Sequence, residues 1–119
     1  MKSNIKINNG VVKYGEYAFI RKPVTVEAYG EKFELPPKTV DFCDKLDAIG
    51  AESLKTTKSS ETTRIIKKGI ALFIGEEKTE QLFPEEKLGE LNSDEIFGFW
   101  AFLKHEQNAQ QRELIALYR

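Results

Sequence analysis

A chain of 119 residues, 40% hydrophobic and 31% charged, has the size and composition of a single domain with one core, burying roughly two-thirds of the surface its unfolded chain exposes. Eighteen basic against nineteen acidic residues leave a formal charge of -1, so no overall field draws the protein to nucleic acid or to an anionic membrane. One cysteine, Cys43, excludes an internal disulfide, and no stretch is apolar over the ~20 residues that span a bilayer, so a soluble protein of a reducing cytoplasm is expected.

The first third of the chain, residues 1–36, reads as strands, and residues 38–119 read as helices of the same single domain. Residues 1–10 alternate polar residues with Ile5 and Ile7 and lack the apolar stretch of a signal peptide. Asn9 and Gly10 both tolerate positive φ, which predicts a turn pairing the Ile5/Ile7 segment with Val11 and Val12. Two glycine turns follow, Gly15 with Glu16 and Gly30 with Glu31, each after a tyrosine and each read as type II′. In the second, this loop sets Ala28 opposite Phe33 and Val26 opposite Leu35 on one apolar face. Thr25, Glu27, Lys32 and Glu34 then point outward, with Glu27 facing Glu34 as a like-charge pair. The two copies of Tyr-Gly-Glu are read as convergent turn chemistry.

Pro36 and Pro37 end the strands, since neither can donate to a ladder. Thr39 then caps a helix whose Phe42, Leu46 and Ile49 recur at i, i+4 and i+7, with Gly50 as its stop. Residues 51–60, rich in Ser, Thr and Lys, read as a loop. A second helix is predicted over residues 61–74, opened by Ser59 or Ser60 and stopped by Gly75. Thr62, Ile66, Gly69, Ile70 and Phe73 form its inner stripe, Ile65, Leu72 and Ile74 widen it, and Arg64, Lys67 and Lys68 occupy the opposite face. Residues 76–81 read as a charged connection, Leu82, Phe83 and Pro84 as a turn, and Pro84 as the first residue of a short helix carrying Leu88.

Ser93 is the predicted cap of a final helix over residues 93–119, with Asp94 and Glu95 complementing its dipole. Residues 96–103 are all non-polar, residues 104–113 form a polar run, and an apolar tip follows at Leu114, Ile115, Leu117 and Tyr118. A continuous helix of this length spans about 40 Å, more than the diameter expected of the domain. Ile96, Trp100 and Leu103 share a face, while Phe97, Phe99 and Phe102 point elsewhere, so the belt calls for burial on several sides. Gln107, Gln110 and Gln111 lie in the polar middle, read as solvated helix. The expected partner-binding residues are Phe97, Phe99, Trp100 and Phe102 in the belt and Leu114, Ile115, Leu117 and Tyr118 at the tip, whose burial needs another chain.

Chemistry is thin in this chain. His105 is the only histidine and has no second histidine four residues on, so the zinc-protease pattern is absent, and it reads as a surface residue. Cys43 sits beside an apolar stripe with Asp41 and Asp44 nearby, neighbours that disfavour a thiolate, and reads as a half-buried structural residue. No glycine-rich phosphate loop occurs, and no cofactor or metal site is expected. A nucleic-acid or regulatory reading rests on Lys55, Lys58, Arg64, Lys67 and Lys68; the slightly negative net charge and the lack of interleaved aromatics argue against it.

The run VTVEAYGEKFELPPKTV, Val24 to Val40, leading into Phe42 and a helical remainder, resembles the small tail assembly chaperones of long-tailed phages and prophages of Gram-positive bacteria. The resemblance covers residues 24–119 and leaves residues 1–23 unexplained; the family has no catalytic or binding motif to transfer. It implies a non-enzymatic protein of the bacterial cytoplasm that binds the hydrophobic, helical tape measure protein and other tail proteins and self-associates into a homo-oligomer during assembly. It also implies that this chain is the short form of a product with a frameshift-extended version. The fold class expected is α+β, N-terminal antiparallel β-hairpins followed by a three- to four-helix C-terminal part with a long final helix.

Overall fold

The computed structural model describes residues 11–15, 17–20, 24–111 and 114–116. The architecture is α+β: strands β1 (Val11–Tyr14), β2 (Tyr17–Ile20), β3 (Val24–Ala28) and β4 (Glu31–Leu35) precede helices α1 (Val40–Ser53), α2 (Ser59–Ile74), α3 (Glu76–Leu82) and α4 (Ser93–Gln111). A 3₁₀ segment, Glu85–Glu90, joins α3 to α4, and a short strand β5 (Leu114–Ala116) follows. The predicted turn at Asn9 and Gly10, and the tip residues Leu117 and Tyr118, lie outside the described residues. No described helix is long and apolar enough to cross a membrane.

The hairpin of β3 and β4 shows how local and tertiary preferences are traded. Its register pairs Val24 with Leu35, Val26 with Phe33 and Glu27 with Lys32, two residues away from the predicted pairing. An even shift keeps every side chain on its face, so Val24, Val26, Phe33 and Leu35 are still buried while Thr25, Glu27, Lys32 and Glu34 are exposed. What changes is the charge pairing, since Glu27 now faces Lys32 instead of Glu34. The loop becomes Tyr29 and Gly30, both at positive φ (54° and 74°) as a type I′ turn requires.

Placing a tyrosine there costs about 1–2 kcal/mol relative to glycine. The ring offsets this cost. It meets Phe83 and Phe99 edge-on at centroid distances of 5.9 and 5.2 Å, and its hydroxyl donates to Glu95 Oε2 at 2.7 Å. Burial, and then that hydrogen bond, raises the phenol well above its ordinary pKa. The turn is thereby tied to the first turn of α4.

Helix α1 starts as expected, with Thr39 Oγ1 accepting from the Phe42 amide at 3.1 Å, but it runs past Gly50 to Ser53. Gly50 keeps a helical backbone because the terminal carbonyls are met further on: Ser53 Oγ donates to Gly50 O at 2.8 Å and the Leu54 amide reaches Gly50 O at 3.3 Å. The loop shrinks to residues 54–58, and α2 begins at Ser59. Residues 76–82, expected as a connection, form α3. Glu76 and Glu77 occupy its first turn, and only Thr79 is buried, so no apolar stripe announced it. Asn92, one residue before the predicted cap, caps α4, its Oδ1 accepting from the Glu95 amide at 3.0 Å.

Helix α2 is the centre of the core, as its wide apolar sector implied. Ile65, Ile66, Gly69, Ile70 and Phe73 are buried against α4, α1, α3 and β4, while β3 covers α4. Thr63 takes the inner position that the stripe assigned to Thr62, whose hydroxyl lies at the exposed end of the helix against Thr56.

The long final helix does not reach residue 119. It ends at Gln111, and β5 pairs antiparallel with β2, Phe19 opposite Leu114, Ala18 opposite Ile115 and Tyr17 opposite Ala116. The sheet order is β1-β2-β5, so the end of the chain fills the second edge of β2. An unpaired strand edge is a strong template, and pairing with it overrides the helix propensity of an isolated Leu-Ile-Ala segment. Leu114 and Ile115 thus belong to a strand of the chain's own sheet, and a projecting helical tip is not what this segment forms.

Candidate functional site

The apolar belt of α4 divides by direction. Ile96, Phe99, Trp100 and Leu103 are buried, Phe102 packs against the core from its margin, and Phe97 is 38% exposed. Of the belt residues expected to meet a partner, Phe99 is therefore consumed by Tyr29, Phe83 and Phe102. Phe97 faces solvent. Trp100 does both: one edge packs on Phe73 at 5.9 Å, and its ring also lines an open groove between α1 and α4.

This groove exists because α1 and α4 both pack on α2 and leave a gap between them. Gly69 is the reason the Trp100 ring sits so deep, since a side chain there would meet it. Leu46, Gly50, Ala51 and the half-buried Cys43 form the α1 wall, and Leu54, 87% exposed, stands at its end. The α4 wall carries Trp100, Lys104, Gln107 and Asn108, and the cavity holds about 820 Å³.

Polar contacts set the shape of the α4 wall. Lys104 Nζ lies 4.6 Å from the centroid of the Trp100 ring, a cation–π contact. Lys38, from the segment before α1, bonds Asn108 Oδ1. Gln107, expected in the solvated middle of the helix, is 1% exposed and its Nε2 donates to Pro36 O at 2.9 Å. The carbonyl of Pro36 lies just beyond β4 and is part-buried, and leaving such a group unpaired costs about 1–3 kcal/mol. The glutamine is thus the clasp that holds the segment with Lys38 against α4.

The predicted basic face of α2 is largely neutralised. Arg64 Nε meets Glu85 Oε2 at 2.7 Å, and Lys67, 7% exposed, lies 3.5 Å from both Glu80 and Glu85. Lys67 therefore does not share the outward face with Lys68, which is exposed. These pairs line a second groove, between α1, α2 and α3, floored by Ile49, Ala71 and Leu72. The hydrogen bond from Arg64 holds the Glu85 carboxyl below its ordinary value of 4.5, with the charges of Arg64 and Lys67 acting the same way and desolvation opposing them. A lowered carboxylate pKa contributes stability that is complete above pH 4.5 and lost as pH falls through the folded value. Acidification is accordingly expected to loosen the 3₁₀ segment before the core. Protection factors of the Lys87 and Leu88 amides, with the intrinsic pH dependence of exchange divided out, measured from pH 6 to about 3 check this; in Glu85→Gln the acid-dependent loss of protection should disappear.

His105 is exposed on α4, and no cluster of three metal-capable side chains gathers among the described residues. The sequence reading found Trp100 as a site residue but missed Lys38, Lys104 and Leu54, because the groove is assembled from two helices distant in the chain and no spacing within either marks it. The chain matches no family model, no curated protein and no solved structure.

Proposed function

We propose that the chain is a non-enzymatic tail assembly chaperone of a long-tailed phage or prophage, acting in the bacterial cytoplasm, and that it holds an apolar helical segment of the tape measure protein in the groove between α1 and α4. The observation that carries this reading is the groove itself, an open channel with Trp100 and Leu46 on its walls and Leu54 exposed at its end. Two facing helices with small residues, Gly50 and Ala51, on one wall leave room for the apolar side of a third helix, the helix-in-groove mode of recognition. The resemblance of residues 24–119 to the tail assembly chaperones supplies the identity of the client. Self-association along the client, and contact with other tail proteins, belong to the same reading, and Phe97 and Val40, which is 81% exposed, supply apolar surface outside the groove for it.

The test is co-expression with a tape measure fragment that is insoluble alone. The wild-type chain is expected to keep the fragment in the supernatant, whereas Ala51→Trp combined with Leu54→Glu, which fills the groove and charges its end, should lose most of that effect with an unchanged circular dichroism spectrum. A fragment that stays soluble with the variant would remove the groove from the function. A fragment that wild type cannot solubilise would remove the client.

A further inference from the structure

Lys38 and Lys104 differ from the four cations that meet a carboxylate. Lys45, Arg64, Lys67 and Lys78 each meet a carboxylate, at 3.3, 2.7, 3.5 and 2.6 Å. Lys38 and Lys104 meet none among the described residues, and yet both are held in place, Lys38 by the Asn108 amide oxygen and Lys104 over the Trp100 ring. Each stem lies at the rim of an apolar groove while its ammonium is neutralised by no carboxylate among the described residues, so the charge is available to an occupant of the groove.

The spacing is informative as well. Lys104 Nζ lies over the ring of Trp100 and Lys38 Nζ at the amide oxygen of Asn108, and these two α4 residues are about two helical turns apart, so the ammoniums are spread along the same rim. The opposite rim carries Asp47 on α1. The groove therefore has an apolar floor, a cationic rim on α4 and an acidic residue on α1.

We infer that the groove selects its occupant by charge: it takes an amphipathic helix of a partner protein whose apolar stripe is flanked on one side by two acidic residues two turns apart, at i and i+7, and on the other by a basic residue. The acidic pair lies against Lys38 and Lys104, and the basic residue against Asp47. Because the two rims differ in sign, charge sets which flank of the helix meets which rim as well as how tightly it binds. This rests on the groove being the client site and adds what the client must look like. It predicts that a purely apolar helix binds less well than an acidic-flanked one, although the floor is apolar.

The chain contains one tryptophan and one cysteine, and both line this groove, so occupancy has two independent reporters. The probe is a synthetic helical peptide free of Trp and Cys, with leucines on one face, two glutamates at i and i+7 on one flank and a lysine on the other. Its control replaces the two glutamates by lysine. Titration is followed by Trp100 emission and by the rate of maleimide alkylation of Cys43. The glutamate peptide is expected to bind roughly tenfold more tightly than the control at low salt, as the sum of two exposed ion pairs gained against two repulsions. The preference should shrink in 0.5 M salt to about twofold, and Lys38→Glu with Lys104→Glu should reverse it. Equal affinity for both peptides, or a preference that survives the charge reversal, would overturn charge selection while leaving the groove as an apolar binding site. If neither peptide slows alkylation or moves the emission, yet the tape measure fragment is still kept soluble, the occupant is not such a helix and the inference fails while the chaperone reading stands. A dimer by light scattering that the charge reversal dissociates, with neither peptide bound, would assign the groove to a second copy and overturn it equally.

Discussion

Leu103→Ala is expected to lower the unfolding free energy by about 2–5 kcal/mol, and Phe97→Ala, in the same apolar belt, by about 1 kcal/mol or less. Leu103 is fully buried, at the point where α4 lies on the core, so the substitution removes a methine and two methyl groups from the interior and leaves a cavity that α2 and α4 can close only by shifting toward each other. Phe97 is 38% exposed and lies outside the core, so less of its side chain leaves the interior. Urea unfolding followed by far-ultraviolet circular dichroism separates the two: the Leu103 variant should shift its midpoint strongly at nearly constant slope, and the Phe97 variant should stay near wild type. Equal costs would mean that the belt is buried all round. Phe97 could then contribute nothing to association, and the apolar surface left for a partner would be confined to α1 and the groove.

That contrast marks the limit of what periodicity can reveal. On α2 one stripe, Ile66, Gly69, Ile70 and Phe73, has one side of core to face, and its burial follows from spacing alone. On α4 the apolar residues surround the helix, and spacing does not say which side the chain itself will cover. Lys67 was assigned to solvent because lysine usually is; Glu80 and Glu85, brought near by α3 and the 3₁₀ segment, make its burial affordable, and neither element has an apolar pattern of its own. Gln107 is the same case, with Pro36 as the partner that only the folded chain supplies.

The ends of the elements failed for a related reason. Gly50 and Ser93 carry the right local chemistry for a stop and a cap, but Ser53 and Asn92 satisfy the backbone groups instead. β5 is the largest departure. Its partner β2 lies at the other end of the chain, so helix propensity was the only signal available in its own neighbourhood. The groove was least legible of all. Cys43, Leu46, Trp100 and Lys104 each look ordinary in sequence, and their common feature is a gap between two helices that share a third as support.

Gly69 is the position on which that gap depends, and its substitution links stability to binding. A Cβ at residue 69 would lie 2.5 Å from Cη2 of Trp100, closer still to Cζ3, and 3.1 Å from Cγ2 of Ile49. The contact with Ile49 is tight, and those with Trp100 are shorter than a Cβ tolerates, so either the indole or the helices must move. The Phe73 ring stands against the indole edge-on at 72°, which leaves the indole free to move only on the side away from Phe73. Alanine gains about 1 kcal/mol of helix propensity over glycine and pays about 1–3 kcal/mol for overpacking, so Gly69→Ala should destabilise by roughly 1 kcal/mol. Valine loses most of the propensity gain and adds two methyl groups to the clash, and Gly69→Val should cost about 3 kcal/mol or more. The direction in which strain relaxes matters for function. The open side of Trp100 is the groove, so the ring should swing outward into it, exposing the indole and narrowing the space for a client helix. Gly69→Ala is therefore expected to shift Trp100 emission to longer wavelength and to weaken peptide binding, although residue 69 does not line the groove. A variant with the emission and binding of wild type would mean that α2 and α4 separate instead, and that the depth of the groove is not set by this glycine.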